Sequence, residues 1–186
     1  MRELTADLFI SLDGFASGVN QPAFFGYFGQ ELEKWVRDHL NQPQIMIMGR
    51  VTYQALAGLS ASGSDETSLR MSSLPKLVFS STLEEPLVWK NTRVLKGDLA
   101  EGIRALKKEG GDPIRSIGSI TLVRHMMQLG LVDRFRLMVF PLLLGDAGRE
   151  PIYVGYAQTG LELLDTKVLD SRIILLEYRP VPARVI

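Results

Sequence analysis

The chain has 186 residues, 46% hydrophobic and 23% charged, enough for one domain (residues 1–186) with a sizeable core. Lys+Arg and Asp+Glu are both 21, and this zero net charge excludes a general nucleic-acid binder, which needs a basic face. With no cysteine and only His39 and His125, a disulfide framework, a thiol nucleophile and a cysteine or histidine-rich metal centre are excluded as well.

Residues 4–12 read as a strand closed by the turn dipeptide Asp13-Gly14, with no basic region and cleavage site before it. Residues 13–28 read as a loop rich in Gly and Phe. Leu32, Trp35, Val36, His39 and Leu40 share one helix face, and Asn41-Gln42-Pro43 ends that helix. A strand at 44–48 runs into Gly49 and a second helix. Residues 57–73 are Ser- and Gly-rich without periodicity, which reads as a disordered loop or a mobile lid. Strands are expected at 77–79 and 92–95. Asp98 with Glu101 makes a capping-box pattern for a helix stopped by Gly110-Gly111. A strand at 113–117 meets Gly118 and a helix over 119–129. Residues 135–144 read as a strand buried on both faces. The longest apolar run, 137–144, contains Pro141 and is too short to span a bilayer. Residues 161–169 and 172–178 pair as a hairpin around Asp170-Ser171. The alternation implies an α/β fold, a parallel sheet covered by helices, with a C-terminal antiparallel hairpin. A cytoplasmic protein is expected.

The same unit occurs twice: Gln44-Ile45-Met46-Ile47-Met48 then Gly49-Arg50-Val51-Thr52, and Pro113-Ile114-Arg115-Ser116-Ile117 then Gly118-Ser119-Ile120-Thr121. Glycine lets the backbone turn sharply and a ligand come close. The helix that follows points free N–H groups over the strand end, where phosphate is favoured. Two such corners suggest a ligand with several phosphates, such as a dinucleotide. Asp13 reads either as a catalytic acid or substrate hydrogen-bonding group at a strand end, or as a plain Asp-Gly turn. Phe15, Phe24, Phe25, Tyr27 and Phe28 read either as a stacking surface for a flat heteroaromatic substrate or as core and dimer-seam residues. Trp35, His39 and Met126 read as packing, and His125 has no assigned role.

Ser11-Leu12-Asp13-Gly14-Phe15-Ala16, Met48-Gly49-Arg50-Val51-Thr52-Tyr53, residues 74–83, Trp89-Lys90-Asn91-Thr92, Gly97-Asp98, Gly118-Ser119, Gly130-Leu131-Val132-Asp133, Pro141 and Leu144-Gly145 occur in an order that resembles the dihydrofolate-reductase-like proteins. The chain is most similar to the C-terminal reductase domain of the riboflavin-pathway deaminase-reductase (RibD), standing alone. The resemblance implies a three-layer fold with a central, mostly parallel eight-stranded sheet and NADPH across the strand ends. It also implies reduction of a C=N or C=C bond in a small flat heterocycle, pterin- or pyrimidinone-like, and a homodimer. The alternative is a non-catalytic nucleotide-binding or regulatory member of the same fold.

Carried over residue by residue, Gly49, Arg50 and Thr52 would hold the cofactor; Arg50 otherwise reads as a surface arginine near a helix start. Ser80, Ser81 and Thr82 would meet the adenosine end and its 2′-phosphate, or simply satisfy backbone groups. Gly118, Ser119 and Thr121 would receive the pyrophosphate, with Ser119 also a candidate N-cap. Asp13, Phe15 and Tyr27 are the substrate candidates. Three departures are expected. Ile117 stands where dihydrofolate reductases have one of two adjacent glycines. Glu31, Glu33 and Asp38 supply no pterin-binding carboxylate and belong to a solvated helix face. Phe15 stands where the riboflavin enzymes often carry Lys. The apolar run Ile173-Ile174-Leu175-Leu176 puts apolar side chains on both strand faces, one of which a partner subunit would cover.

Overall fold

The computed structural model of the chain describes residues 1–22 and 24–183. In chain order its strands are β1 (Leu4–Ser11), β2 (Phe15–Gly18), β3 (Gln21–Pro22), β4 (Ile45–Gly49), β5 (Lys76–Phe79), β6 (Thr92–Leu95), β7 (Ile114–Ile117), β8 (Arg134–Phe140), β9 (Gly148–Pro151), β10 (Thr159–Leu169) and β11 (Ile173–Pro182). Its α-helices are α1 (Gln30–Asn41), α2 (Arg50–Ser60), α3 (Glu66–Ser73), α4 (Leu99–Lys108) and α5 (Ile120–Gln128).

The eight-stranded sheet has the order β10-β11-β8-β1-β7-β4-β5-β6. The six strands from β8 to β6 are mutually parallel, and β11 and β10 add antiparallel at one edge. Alternation along β1 sets the layers. Leu4, Ala6, Leu8 and Ile10 pack against Ile103 of α4 and Val123 and Met126 of α5. Phe9, on the opposite face, joins Leu32 and Trp35 of α1 and Met138 and Phe140 of β8. A second cluster on Met46 and Met48 of β4 takes up Tyr53 and Ala57 of α2, Met71 of α3 and the buried Trp89.

Two expected loops are ordered differently. Residues 13–28 contain β2 and β3, which pair with β9 as a separate three-stranded sheet. Residues 57–73 are largely helical rather than a disordered loop: α2 runs on to Ser60, and α3 follows. The Asp65 carboxylate caps α3, accepting the Ser68 N–H at 3.0 Å and the Ser68 hydroxyl at 2.5 Å. At the other end of α3, buried Lys76 donates to the carbonyls of Met71 (2.8 Å), Ser72 (3.2 Å) and Leu74 (2.7 Å), with its ammonium 4.7 Å from the Trp89 ring centre. The helix therefore ends on a cation, where its dipole is negative. The strand expected over 135–144 stops at Phe140, one residue before Pro141.

Candidate cofactor and substrate site

Apart from Tyr27, which lies in the turn before α1, the site residues picked out by sequence follow the carboxyl ends of the parallel strands in one row, the usual ligand edge of an open α/β sheet. In sheet order, Ser80, Ser81 and Thr82 follow β5, Gly49 to Thr52 follow β4, Gly118 to Thr121 follow β7, and Asp13 to Phe15 follow β1. Adenosine, phosphate and substrate candidates are thus laid out in sequence.

The two glycine corners touch. Gly49 is the N-cap of α2, and its N–H donates to the Ser119 hydroxyl at 2.8 Å. A Cβ on Gly118 would lie 3.5 Å from Thr52 Cγ2, so Thr52 faces the second corner. Arg50 is exposed and, among the described residues, reaches only Gln54, at 3.3 Å. Thr121 is exposed, and so are Ser81 and Thr82. Ser80 is committed to its own turn: its hydroxyl accepts the N–H groups of Thr82 (3.2 Å) and Leu83 (3.1 Å).

The backbone locates the left-handed pair at this corner one residue after Ile117. Ile117 is the last residue of β7, and the two adjacent left-handed residues are Gly118 (φ 59°) and Ser119 (φ 61°, ψ 58°). The residue beside Gly118 whose backbone suits a glycine is therefore Ser119, not Ile117.

The helices differ in how their first N–H groups are satisfied. The α3 and α4 N-termini are capped by Asp65 and Asp98, and that of α1 by Asp170 from the hairpin turn. The α2 and α5 N-termini, at the two corners, have no side-chain cap among the described residues. Helix ends left open at a strand edge favour anions.

Asp13 is held by the protein. Its carboxylate accepts the Ser11 hydroxyl at 2.5 Å and the N–H groups of Leu144 (2.9 Å) and Gly145 (2.8 Å). The Ser11 and Gly145 hydrogen bonds in particular hold its carboxyl below the ordinary carboxylate value. A carboxylate so stabilised is a poor proton donor, and this geometry favours the turn reading.

The aromatic loop goes largely to packing. Phe24 is buried and stacks on Phe140 (5.0 Å between ring centres), and Phe28 stacks on the same ring at 6.0 Å. The half-buried Phe15 ring lies on Gly148, where a Cβ would come within 2.5 Å of it. Tyr27 is half-buried against the same cluster, its carbonyl accepting Arg172 Nη2 at 2.9 Å. The Phe25 side chain lies outside the described residues. On α1, the Glu31 carboxylate accepts the Asp170 N–H and Asp38 pairs with Lys34 on the exposed face.

Sequence reasoning missed a buried ionic belt under α1. Asp7 on β1 pairs with Arg115 on β7 and lies 3.7 Å from Arg136 on β8, while Glu177 on β11 takes Arg134 and Arg136. Trp35 covers both Arg115 and Arg136, and His39 stacks on Trp35 at 3.7 Å. Burial, reinforced by these arginines, pushes the His39 imidazole below its ordinary value. The signal was present as charged residues in strands otherwise read as buried.

A sheet of this order, with two open helix ends meeting at adjacent strand ends, defines the class of α/β proteins that hold ligands along the sheet edge. The chain belongs to the RibD C-terminal domain family, whose model matches residues 2–175. It is 26% identical over 183 residues to the uncharacterized protein YyaP of Bacillus subtilis (strain 168), covering 95% of this chain and 94% of that protein. Among solved structures it resembles a putative riboflavin biosynthesis protein from Shewanella sp. PV-4 (TM-score 0.74, 18% identity, 96% of this chain and 99% of that one). It also resembles the dihydrofolate reductase from Enterococcus faecalis complexed with NADP(H) (TM-score 0.67, 10% identity, 96% of each chain). The eight-stranded, mostly parallel fold is therefore that of RibD-like and dihydrofolate-reductase-like proteins. No helix among the described residues is long and apolar enough to cross a membrane.

Proposed function

We propose that the chain is an NADPH-dependent reductase of a small flat heterocycle, pterin- or pyrimidinone-like. One observation carries the reading. Among the described residues, the helices at the two glycine corners lack a side-chain cap, and these ends are joined through Gly49 and Ser119. Their free N–H groups fit a diphosphate. Arg50, exposed beside the first corner, suits a phosphate as a bidentate donor. Ser81 and Thr82 lie beyond, toward the adenosine end. When bound, NADPH supplies the hydride, and the residues of this chain bind it, orient it and shape the substrate end near Asp13 to Phe15. With Asp13 committed to the Leu144–Gly145 backbone, the proton comes from ordered water. The apolar residues Leu161, Leu163, Val168 and Ile174, exposed on the hairpin, support a homodimer as the cytoplasmic form.

Incubation of the native protein with NADPH and a panel of pterins and pyrimidinones tests the reading. Cofactor oxidation dependent on one heterocycle supports it. Binding without oxidation across the panel supports a non-catalytic nucleotide-binding member, and no binding of NADPH removes the reading.

A further inference from the structure

We infer that His39, Trp35 and the buried Asp7–Arg115–Arg136 cluster form a proton-operated latch: neutral His39 keeps Trp35 closed over the cluster, and a proton on His39 frees the last turn of α1 and lets water reach the charges. The parts are stacked in order. The His39 ring lies on the Trp35 ring, 3.7 Å between centres and 25° between planes. The Trp35 ring lies in turn over the guanidinium groups of Arg115 (5.4 Å) and Arg136 (5.8 Å). Asp7 pairs with Arg115 and lies 3.7 Å from Arg136, and Glu177 takes Arg136 at 2.6 Å.

The stack suits a neutral imidazole. Its Nδ1 lies 2.8 Å from the Trp35 carbonyl and must donate to it, which leaves Nε2 to take up a proton. The imidazolium so formed is half-buried beside two fixed cations. Burial, with Arg115 and Arg136, prevails over the Trp35 carbonyl and Asp7, so His39 holds a proton less readily than an ordinary histidine. The other charges near this turn give no relief. Lys34 and Asp38 pair with each other, and Arg37 is a further cation. Arg70 from α3 already serves the carboxyl end of α1, donating to the carbonyls of Leu40 (2.7 Å), Asn41 (3.2 Å) and Gln42 (3.2 Å). The cluster itself gains from opening. Asp7 Oδ1 and Arg115 Nη1 are buried and meet no hydrogen-bond partner among the described residues, a cost that water removes. The Asp7 carbonyl accepts the Gly118 N–H at 3.2 Å, so the latch stands behind the second corner.

Imidazole resonances read His39 against the exposed His125 in one spectrum, and His39 is expected to titrate at the lower pH. Amide hydrogen exchange over residues 35–40 and over β7, corrected for the intrinsic rate, is followed from about pH 7 to about pH 5 in the native chain, His39→Phe and His39→Gln. One linked proton predicts a loss of protection in the native chain of up to about tenfold per pH unit as pH falls below 6.5 toward the folded value. Neither variant takes up this proton, so both should keep their protection over the range. His39→Gln retains a side-chain donor and serves as the comparison if His39→Phe does not fold. A His39 that titrates at or above His125, or native protection that is unchanged down to about pH 5, overturns the latch. The same loss of protection in a variant assigns the opening to another group and removes His39 from it.

Discussion

Asp170 and Glu31 hold each other's backbone. The Asp170 carboxylate accepts the N–H of Glu31 at 2.9 Å, and the Glu31 carboxylate accepts the N–H of Asp170. Asp170 also accepts the N–H groups of Gly29 (3.1 Å) and Leu32 (3.2 Å), so the C-terminal hairpin turn caps the first helix. Its packing needs Gly29, where a Cβ would lie 2.3 Å from the carboxylate carbon. This contact locks the antiparallel edge to the α1 layer.

Desolvation opposes ionisation of Asp170, but the hydrogen bonds from Glu31, Leu32 and Gly29 prevail and lower its pKa. A lowered carboxyl contributes stability above its unfolded value near 3.8, and that stability is lost as pH falls through the lower folded value. Asp170→Asn is therefore expected to melt lower at neutral pH and to lose less on acidification below about pH 4. Equal acid sensitivity in the two proteins contradicts the capping account.

Lys76 gives the opposite pH window. Burial brings its ammonium down from 10.5 to about 8. Between those values the folded state binds fewer protons than the unfolded one, so stability should rise with pH there. Urea midpoints at about pH 7.5 and about pH 9.5 read this directly. Lys76→Met should abolish the rise and lower stability at neutral pH, because the carbonyls of Met71, Ser72 and Leu74 lose their donor. A native midpoint that falls between the two pH values contradicts this.

Gly118 is required by its backbone, and the proposed cofactor would add a second demand. At φ 59° any side chain is strained, although Thr52 leaves ordinary contact room. Gly118→Ala should cost about 1–2 kcal/mol of stability and weaken NADPH binding, while Gly118→Val, β-branched, should cost more. An alanine variant as stable as the native chain and binding NADPH normally refutes both roles.

On β11 one face is buried, and the other is partly open at Ile174. Leu175 is 2% exposed in the core, whereas Ile174 is 41% exposed opposite Val168. Ile174→Glu should convert a dimer to a folded monomer in sedimentation at micromolar concentration, while Leu175→Glu should unfold the chain. A native protein that sediments as a soluble monomer removes the dimer.

The alternation of strands and helices was legible because apolar runs and punctuating residues agreed. Strand β6 was found at its observed bounds, and Asp98 caps α4 as read, accepting the Glu101 N–H at 2.8 Å. Helix α3 was missed because its periodicity is weak, although Asp65 was a visible cap. The β2–β3–β9 sheet was illegible because its strands are only two to four residues long, stabilised by pairing between distant segments. The corners were legible as glycines, but not their contact, since the left-handed Ser119 is set by tertiary structure. The aromatic loop was ambiguous because composition does not tell a stacking surface from a core, and burial of Phe24 decided that position.

The central claim, that the joined corners hold a phosphorylated dinucleotide, is tested most directly by titrating NADPH and NADH into the native chain and into Arg50→Ala. The native chain should bind NADPH more tightly than NADH. Arg50→Ala should lose about 1.5–3 kcal/mol of NADPH affinity with an unchanged melting temperature in the absence of ligand. Equal binding of both cofactors by the native chain, untouched by Arg50→Ala, would contradict the account.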